Sequence, residues 1–391
     1  MKQQLSFIQK REIFSQFYTK KEISDYLCDL LVKGHSLKNV VDLGVGEGSL
    51  LNSIKSTYGN IKTVGVDIDK ENIRNLYELN NIDSLYCFDS TKIRNVERLI
   101  YKHGTFDLVV GNPPYNRISI DEEIKNTFKS LNIYDNRDLS KIGSDIVFLI
   151  HGLLLLNDLG TLVYILPDGF SNNIFYKELR KFLYENYRVN RIVEIPEKSF
   201  VATEAKTHLI SISKGMTSDI IEVSRLDGTK TINISKEQFI ARCDYSFLDK
   251  PLPMNYRMLK DFNVRIFRGN RSKCYLSKAG VAYVHTSNMA DISISKNENI
   301  KDFDGVVVTK KGDIAIARVG TRVVGNYSLI ERDNFVVSDC IIIIRSLDKI
   351  TRDRILRSLN MDVTKAWINS IKKGVGAKHI TIKDLMELPI Y

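Results

Sequence analysis

An α/β fold is what this sequence predicts: a Rossmann-like, mixed but mostly parallel sheet, followed by a smaller β-rich α+β domain. Three observations carry the prediction. The first 215 or so residues alternate short β-rich runs with helical stretches, the pattern of parallel strands with helices on both faces. The first of those runs ends in a Gly-rich turn that opens a helix. After about Arg242 the alternation stops, and beyond Pro251 and Pro253 come short strands separated by turns.

Strands are expected at Asn39–Leu43, Thr63–Asp67, Ser84–Phe88, Asp107–Val110 and Thr161–Leu166. Between them, Leu50–Tyr58, Glu71–Asn80 and Asp145–Leu156 carry the apolar spacing of helices. Ligands of such sheets bind beyond the carboxyl ends of the strands, where the motifs described below fall. In the last third, VAYVHT, GVVVTKKGDIAIARVGT and VVSDCIIIIR read as short strands with turns, and Arg352–Ile371 as a closing helical stretch. The expected domains are 1–245 and 246–391.

Composition narrows the class. With 43% hydrophobic and 27% charged residues, the 391-residue chain is ordinary for a globular protein with two cores. Its longest apolar run, Ile146–Leu156, is interrupted by His151 and is too short to cross a bilayer. The N-terminus lacks the apolar stretch of a secretory signal, so a cytoplasmic protein with no membrane role is expected. Five dispersed cysteines without a CxxC pair, and six histidines at no ligand spacing, predict neither a disulfide framework nor a metal site. Charge is uneven: residues 1–249 hold 32 Lys+Arg against 33 Asp+Glu, net −1, whereas residues 250–391 hold 25 against 14, net +11. A basic last third suits a polyanion such as nucleic acid; a merely solubilising surface is the alternative.

The chemistry-bearing residues follow the strands. Asp42-Leu43-Gly44-Val45-Gly46-Glu47-Gly48 closes the first strand, its glycines leaving room for a ligand against the main chain. The second strand ends in Asp67, a carboxylate placed to accept from a ribose diol. Together they signal a nucleotide-like cofactor, and a plain turn is the alternative. The third strand ends in Phe88-Asp89, where the carboxylate can take the amino group of an adenine ring or simply be solvated.

Asn112-Pro113-Pro114-Tyr115 closes the fourth strand and is the most specific signal; its chance occurrence is well under roughly one in a hundred. Two prolines stiffen the loop and remove donors, leaving carbonyls to accept. The Asn112 side-chain oxygen and the Pro113 carbonyl can then accept both hydrogens of an amino group, making its nitrogen a better nucleophile. Tyr115 offers a ring face for a planar base.

The order of these motifs resembles the gamma class of amino-group DNA methyltransferases, most closely the TaqI-type adenine enzymes, over nearly the whole chain. The resemblance implies a class I S-adenosylmethionine-dependent methyltransferase fold and transfer of the cofactor's methyl group to N6 of a flipped-out adenine. Ser15-Gln16-Phe17-Tyr18-Thr19-Lys20 is similar to that family's segment over the methionine end, with Ser and Lys in place of its usual Gly and Pro. The lid is therefore expected to be shaped differently. By the same resemblance, Phe17, Tyr18, Thr19, Asp42, Gly44, Gly46 and Gly48 serve the methionine part. Asp67, with Ile68, serves the ribose side, and Asp89 the adenine of the cofactor. Asn112 and Pro114 also border the cofactor, and Phe148 in SDIVFLIHG is its aromatic neighbour or a helix-core Phe. Asn112, Pro113, Pro114 and Tyr115 form the catalytic motif. Phe200, after Glu194-Ile195-Pro196-Glu197-Lys198-Ser199, is similar to the second aromatic that sandwiches the target base; a buried hairpin Phe is the alternative.

YVHTSNM, GDIAIARVGT, VVSDCIIII and GVGAKHITIKDLMELPI resemble target-recognition domains of TaqI-type enzymes and type I specificity subunits, which implies double-stranded DNA as partner. Arg318 and Arg322 flank a Gly-containing turn there and can reach DNA or remain solvated. Pro196-Glu197 with Glu204-Ala205-Lys206 matches a loose nuclease pattern, but the methyltransferase reading already explains the segment, so no cleavage is expected. Any restriction role would fall to a separate cognate endonuclease. Protein glutamine and ribosomal RNA methyltransferases share Asn-Pro-Pro-Tyr and are the rival enzymes. They generally lack the N-terminal motif combined with a C-terminal recognition domain. Cytosine amino-methylation usually has Ser in place of Asn112. A non-catalytic DNA-specificity protein would be expected to have lost acidic or NPPY residues that are intact here.

Overall fold

The computed structural model describes residues 21–30, 37–134, 139, 142–197, 206–215, 220–250, 255–289, 305–374 and 377–391. Phe17, Tyr18, Thr19 and Phe200 lie outside the described residues. The chain divides into two compact units, Met1–Tyr245 and Ser246–Tyr391.

The first unit is built on nine strands: β1 (Asn39–Asp42), β2 (Lys62–Asp67), β3 (Ser84–Cys87), β4 (Phe106–Gly111), β5 (Leu156–Pro167), β6 (Arg188–Ile195), β7 (Thr207–Ser213), β8 (Ile221–Arg225) and β9 (Thr231–Ile234). Their order is β3-β2-β1-β4-β5-β7-β6-β8-β9. Pairs from β3 through β5 are parallel, while β7 runs antiparallel to both β5 and β6. The sheet is thus mixed and mostly parallel, the α/β architecture expected. Its helices include α1 (Lys21–Leu30), α2 (Ser49–Tyr58), α3 (Lys70–Leu79), α4 (Ile93–His103), α5 (Glu122–Ser130), α6 (Ser144–Leu155), α7 (Lys177–Asn186) and α8 (Lys236–Ala241).

Continuous apolar strands are buried on both faces because helices cover both. Against one face, Ile23 and Leu27 of α1 and Leu50, Leu51 and Ile54 of α2 pack on Val40, Leu108, Val110, Val163 and Ile165. Apart from Ser144, Asp145 and His151, helix α6 is apolar on every side, and it is almost wholly buried, as such a helix must be. The sequence placed α6 one residue late, because Ser144 is polar yet buried at its first turn. Leu156 belongs to β5, which starts where the helix stops and extends well before Thr161. Helix α4 and the antiparallel strands beyond β5 were not singled out from sequence.

In the second unit, β10 (Arg257–Met258) pairs antiparallel with β17 (Pro389–Ile390). A four-stranded antiparallel sheet runs β11 (Val264–Arg268), β16 (Ile341–Ser346), β13 (Ile314–Ala317), β14 (Tyr327–Leu329). β12 (Tyr283–Val284) pairs parallel with β15 (Val336–Val337). Alternate side chains divide between two cores: Ile314, Ile316, Ile342 and Ile344 face Ile355, Leu359 and Trp367, while Ala315, Ala317, Ile341 and Ile343 face Val284, Phe335 and Val337. The closing helical stretch is made of two helices, Lys349–Asn360 and Asp362–Ile371, because Met361 between them takes extended backbone (ψ 140°). No helix among the described residues is long and apolar enough to cross a membrane.

Candidate active site

Chain order makes the site. From β1 the strands step outward to β2 and β3, then the chain returns to place β4 on the other side of β1. Such a switch point leaves a crevice beyond the carboxyl ends of β1 and β4. Asp42 ends β1 and Asn112 follows β4, and the register sets Asp42 opposite Val110. A Cβ on Gly111 would lie 3.4 Å from Asp42 Oδ1 and 3.0 Å from the Tyr164 ring, so glycine lets the two strand ends close up.

In the Gly-rich loop, Gly46 and Gly48 adopt φ of +53° and +81°, backbone that favours glycine. Gly46 N–H donates to Asp67 Oδ2 at 2.8 Å, tying the loop to the end of β2. Gly44 N–H donates to Asp42 Oδ1 at 2.9 Å. The Phe148 ring edge lies against Gly44, 3.5 Å from where a Cβ would be. Behind the loop, His151 Nδ1 donates to the Ser90 carbonyl at 2.8 Å and Ser90 Oγ to the Leu43 carbonyl at 2.7 Å, joining α6 to the ends of β1 and β3. Burial lowers the His151 pKa, which favours the neutral ring. Sequence reasoning saw His151 only as a break in an apolar run.

Three carboxylates stand at three successive strand ends. Asp42 is 2% exposed, and burial pushes its carboxyl up to about 7, against the Gly44 bond and with the Asp67 charge adding to the rise. Among the described residues, the hydrogen bond to its carboxylate is on Oδ1. Asp67 accepts from Gly46, Asp69 and Asn72, which leaves about one of a carboxylate's four lone-pair positions. Burial raises its pKa despite those bonds. Asp89 accepts the Thr91 N–H and hydroxyl on Oδ1. Ile68, beside Asp67, is 51% exposed, an apolar surface next to the acceptors. The set suits a ligand that brings donors at separated points and a flat apolar part.

The NPPY turn is held from α6. Ser144 Oγ donates to the Pro114 carbonyl at 2.5 Å, and Ser144 N–H to the Asn116 carbonyl at 2.8 Å. With Pro114 occupied, the Pro113 carbonyl is left as the acceptor without a donor among the described residues. Tyr115 hydroxyl donates to Asn112 Oδ1 at 2.8 Å. Asp145, one residue after Ser144, is 3% exposed; burial pushes it up to about 7, and its Oδ2 has no hydrogen-bond partner. Ser144 and Asp145 were missed as site residues, although Ser-Asp before an apolar run is a recognisable helix-start signal. Among the described residues no group of His, Cys, Asp and Glu is arranged to hold a metal.

Lys206 lies among the interior carboxylates of Asp168, Glu194 and Asp244. The nuclease-like pattern is not assembled around it in the described residues: Glu204 lies outside them, and Lys206 is committed to interior carboxylates.

The N-6 DNA Methylase family model matches residues 7–242, more than half of the chain. The chain belongs to the N-6 DNA methylase family. This membership and the strand order identify the first unit as a class I S-adenosylmethionine-dependent methyltransferase fold. Over 372 residues the chain is 25% identical to the modification methylase CviBIII of Paramecium bursaria Chlorella virus NC1A, covering 90% of this chain and 86% of that protein. It is 26% identical over 226 residues to the type II methyltransferase M.HincII of Haemophilus influenzae, 57% of this chain and 42% of that protein. It is 44% identical over 97 residues to the type II methyltransferase M.BstVI of Geobacillus stearothermophilus, 24% of this chain and 16% of that protein. The chain thus spans less than half the length of several curated relatives it matches. Among solved structures, the type IIG restriction endonuclease BpuSI is similar in fold, with TM-score 0.52 and 14% identity over 98% of this chain and 60% of that one.

Proposed function

We propose that this N-6 DNA methylase is a site-specific adenine methyltransferase acting on double-stranded DNA, with S-adenosylmethionine as methyl donor. One observation carries the reading: Asn112 Oδ1 and the Pro113 carbonyl, two acceptors on a proline-stiffened turn, lie at the end of β4 beside the β1 carboxylate Asp42. S-adenosylmethionine, when bound, supplies an electrophilic sulfonium methyl. Its donors match the acceptors available: the ammonium suits Asp42, the ribose diol Asp67, and the adenine amino group Asp89, with Ile68 as apolar wall.

The chain's own residues do the rest. Asn112 and Pro113 accept the two hydrogens of the target amino group and hold its nitrogen at one point. Fixed acceptors in a site partly closed to water act without reorganising, and alignment removes much of the entropic barrier. Tyr115 offers the stacking face for a base rotated out of the duplex, with Phe200 as its expected counterpart. The second unit is the target-recognition domain in this reading, its basic excess serving phosphate contacts. The modification methylase and type II methyltransferases among its relatives favour a place in a restriction-modification system, with any endonuclease a separate partner.

The test is transfer of labelled methyl to adenine-containing duplex DNA, followed by nucleoside analysis. An N6-methyladenine product is expected. Label in protein or RNA from a cell extract, with none in DNA, would instead favour the glutamine or ribosomal RNA enzymes.

Cofactor binding should depend on pH. A carboxyl that titrates near 7 in the ligand-free protein is protonated below that pH, and a cationic ammonium favours the ionised form. Affinity for S-adenosylmethionine is therefore expected to weaken as pH falls through about 7, approaching roughly tenfold per unit. Calorimetric titration between pH 6 and 8 measures it. The Asp42→Asn protein should bind weakly at every pH and show little of that slope; an unchanged slope there would remove Asp42 from the ammonium site.

A further inference from the structure

The sequence offers Tyr115 a stacking role, which uses the ring alone, yet its hydroxyl is engaged with the catalytic acceptor. It donates to Asn112 Oδ1 at 2.8 Å, with the Ile165 carbonyl a weaker alternative at 3.4 Å. Resting on the adenine-methylation reading above, we propose that the Tyr115 hydroxyl is a positioning group that fixes the Asn112 carboxamide with its oxygen in service.

A carboxamide presents an acceptor on one side and two donors on the other, and a half-turn about its last torsion exchanges them. Only the oxygen can accept from the N6 amino group; the flipped amide would set donors against donors. A hydroxyl that donates to Oδ1 selects the productive orientation. An sp² carbonyl oxygen has two lone pairs, and the hydroxyl takes one of them. Burial holds the Tyr115 phenol well above its ordinary range, so it remains a donor at any working pH. The backbone of the same turn is fixed separately, through Ser144 and the Pro114 carbonyl, so the hydroxyl governs the side chain alone.

Tyr115→Phe keeps the ring and removes the hydroxyl. The single-turnover rate is expected to fall about tenfold, the order of one lost hydrogen bond, with KM for DNA and S-adenosylmethionine affinity unchanged. A rate within twofold of wild type, or a faster one, overturns the proposal while wild-type methylation of DNA leaves the function standing. A double-mutant cycle separates orientation from general damage. In an Asn112→Asp background both carboxylate oxygens accept, so orientation no longer matters and Tyr115→Phe should cost less than twofold. An equal loss in both backgrounds overturns the positioning role.

Discussion

Replacing Asn112 by alanine is expected to slow methyl transfer by about two to three orders of magnitude, the usual effect of deleting one preorganised group at a reacting centre. DNA affinity should change little, because protein–DNA affinity generally comes from phosphate and base contacts spread over a large surface. The Asn112 oxygen belongs to a turn already fixed by two prolines and by Ser144, so truncating the side chain removes an acceptor without loosening the backbone. What remains is the Pro113 carbonyl, which can hold one amino hydrogen but cannot fix the nitrogen's direction. Single-turnover rates with saturating S-adenosylmethionine, set beside equilibrium binding of the same duplex, separate the two effects. An Asn112→Ala protein that methylates at the wild-type rate would refute the mechanism.

Lys206→Ala is expected to destabilise the first unit by about 3–5 kcal/mol, the range for breaking a buried ion pair by removing one partner. Lys206 Nζ lies 3.0 Å from Asp168 Oδ1, 3.3 Å from Asp244 Oδ2 and 3.4 Å from Glu194 Oε2, and those three carboxylates are at most 2% exposed. The Asp168 contact is ionic in character, since Oδ1 accepts no hydrogen bond of good geometry. Burial alone would lower the Lys206 pKa; the three carboxylates raise it instead, so it stays charged. Burial likewise works to raise Asp244, but Arg242 and Lys206 hold it well below the usual carboxylate range. Without the lysine, Arg242 still pairs with Asp244, while Asp168 and Glu194 lose the ammonium between them. The loss should be larger at pH 8 than at pH 5, where a surplus carboxylate can take up a proton. Urea denaturation at both pH values measures it. A change under about 1 kcal/mol would mean that water already reaches these charges.

Local chemistry determined what the sequence could show. Glycines and prolines restrict or free the backbone within a few residues of themselves, so the Gly44–Gly48 loop and the NPPY turn were legible, as was the strand before each. The α/β alternation was legible for the same reason, since apolar periodicity is a property of one segment. Where the competing influence was distant, the reading fell short. Ser144 starts α6 a residue earlier than its polarity suggests because its hydroxyl finds Pro114 and Asn116 on another loop. Met361 divides the closing helical stretch into two helices, a boundary that the sequence reading did not specify.

Strand order was the larger omission. Nothing in the local sequence says that β4 lies beside β1, yet that adjacency alone puts Asn112 next to Asp42, about seventy residues away in the chain. The antiparallel β7, the His151–Ser90–Leu43 chain and the carboxylates around Lys206 are likewise meetings of remote residues. Residue type and local backbone are written in each segment, so the groups available for chemistry can be read along the chain. Which of them meet depends on the folded arrangement, because burial and hydrogen bonding are settled between segments that chain order keeps far apart.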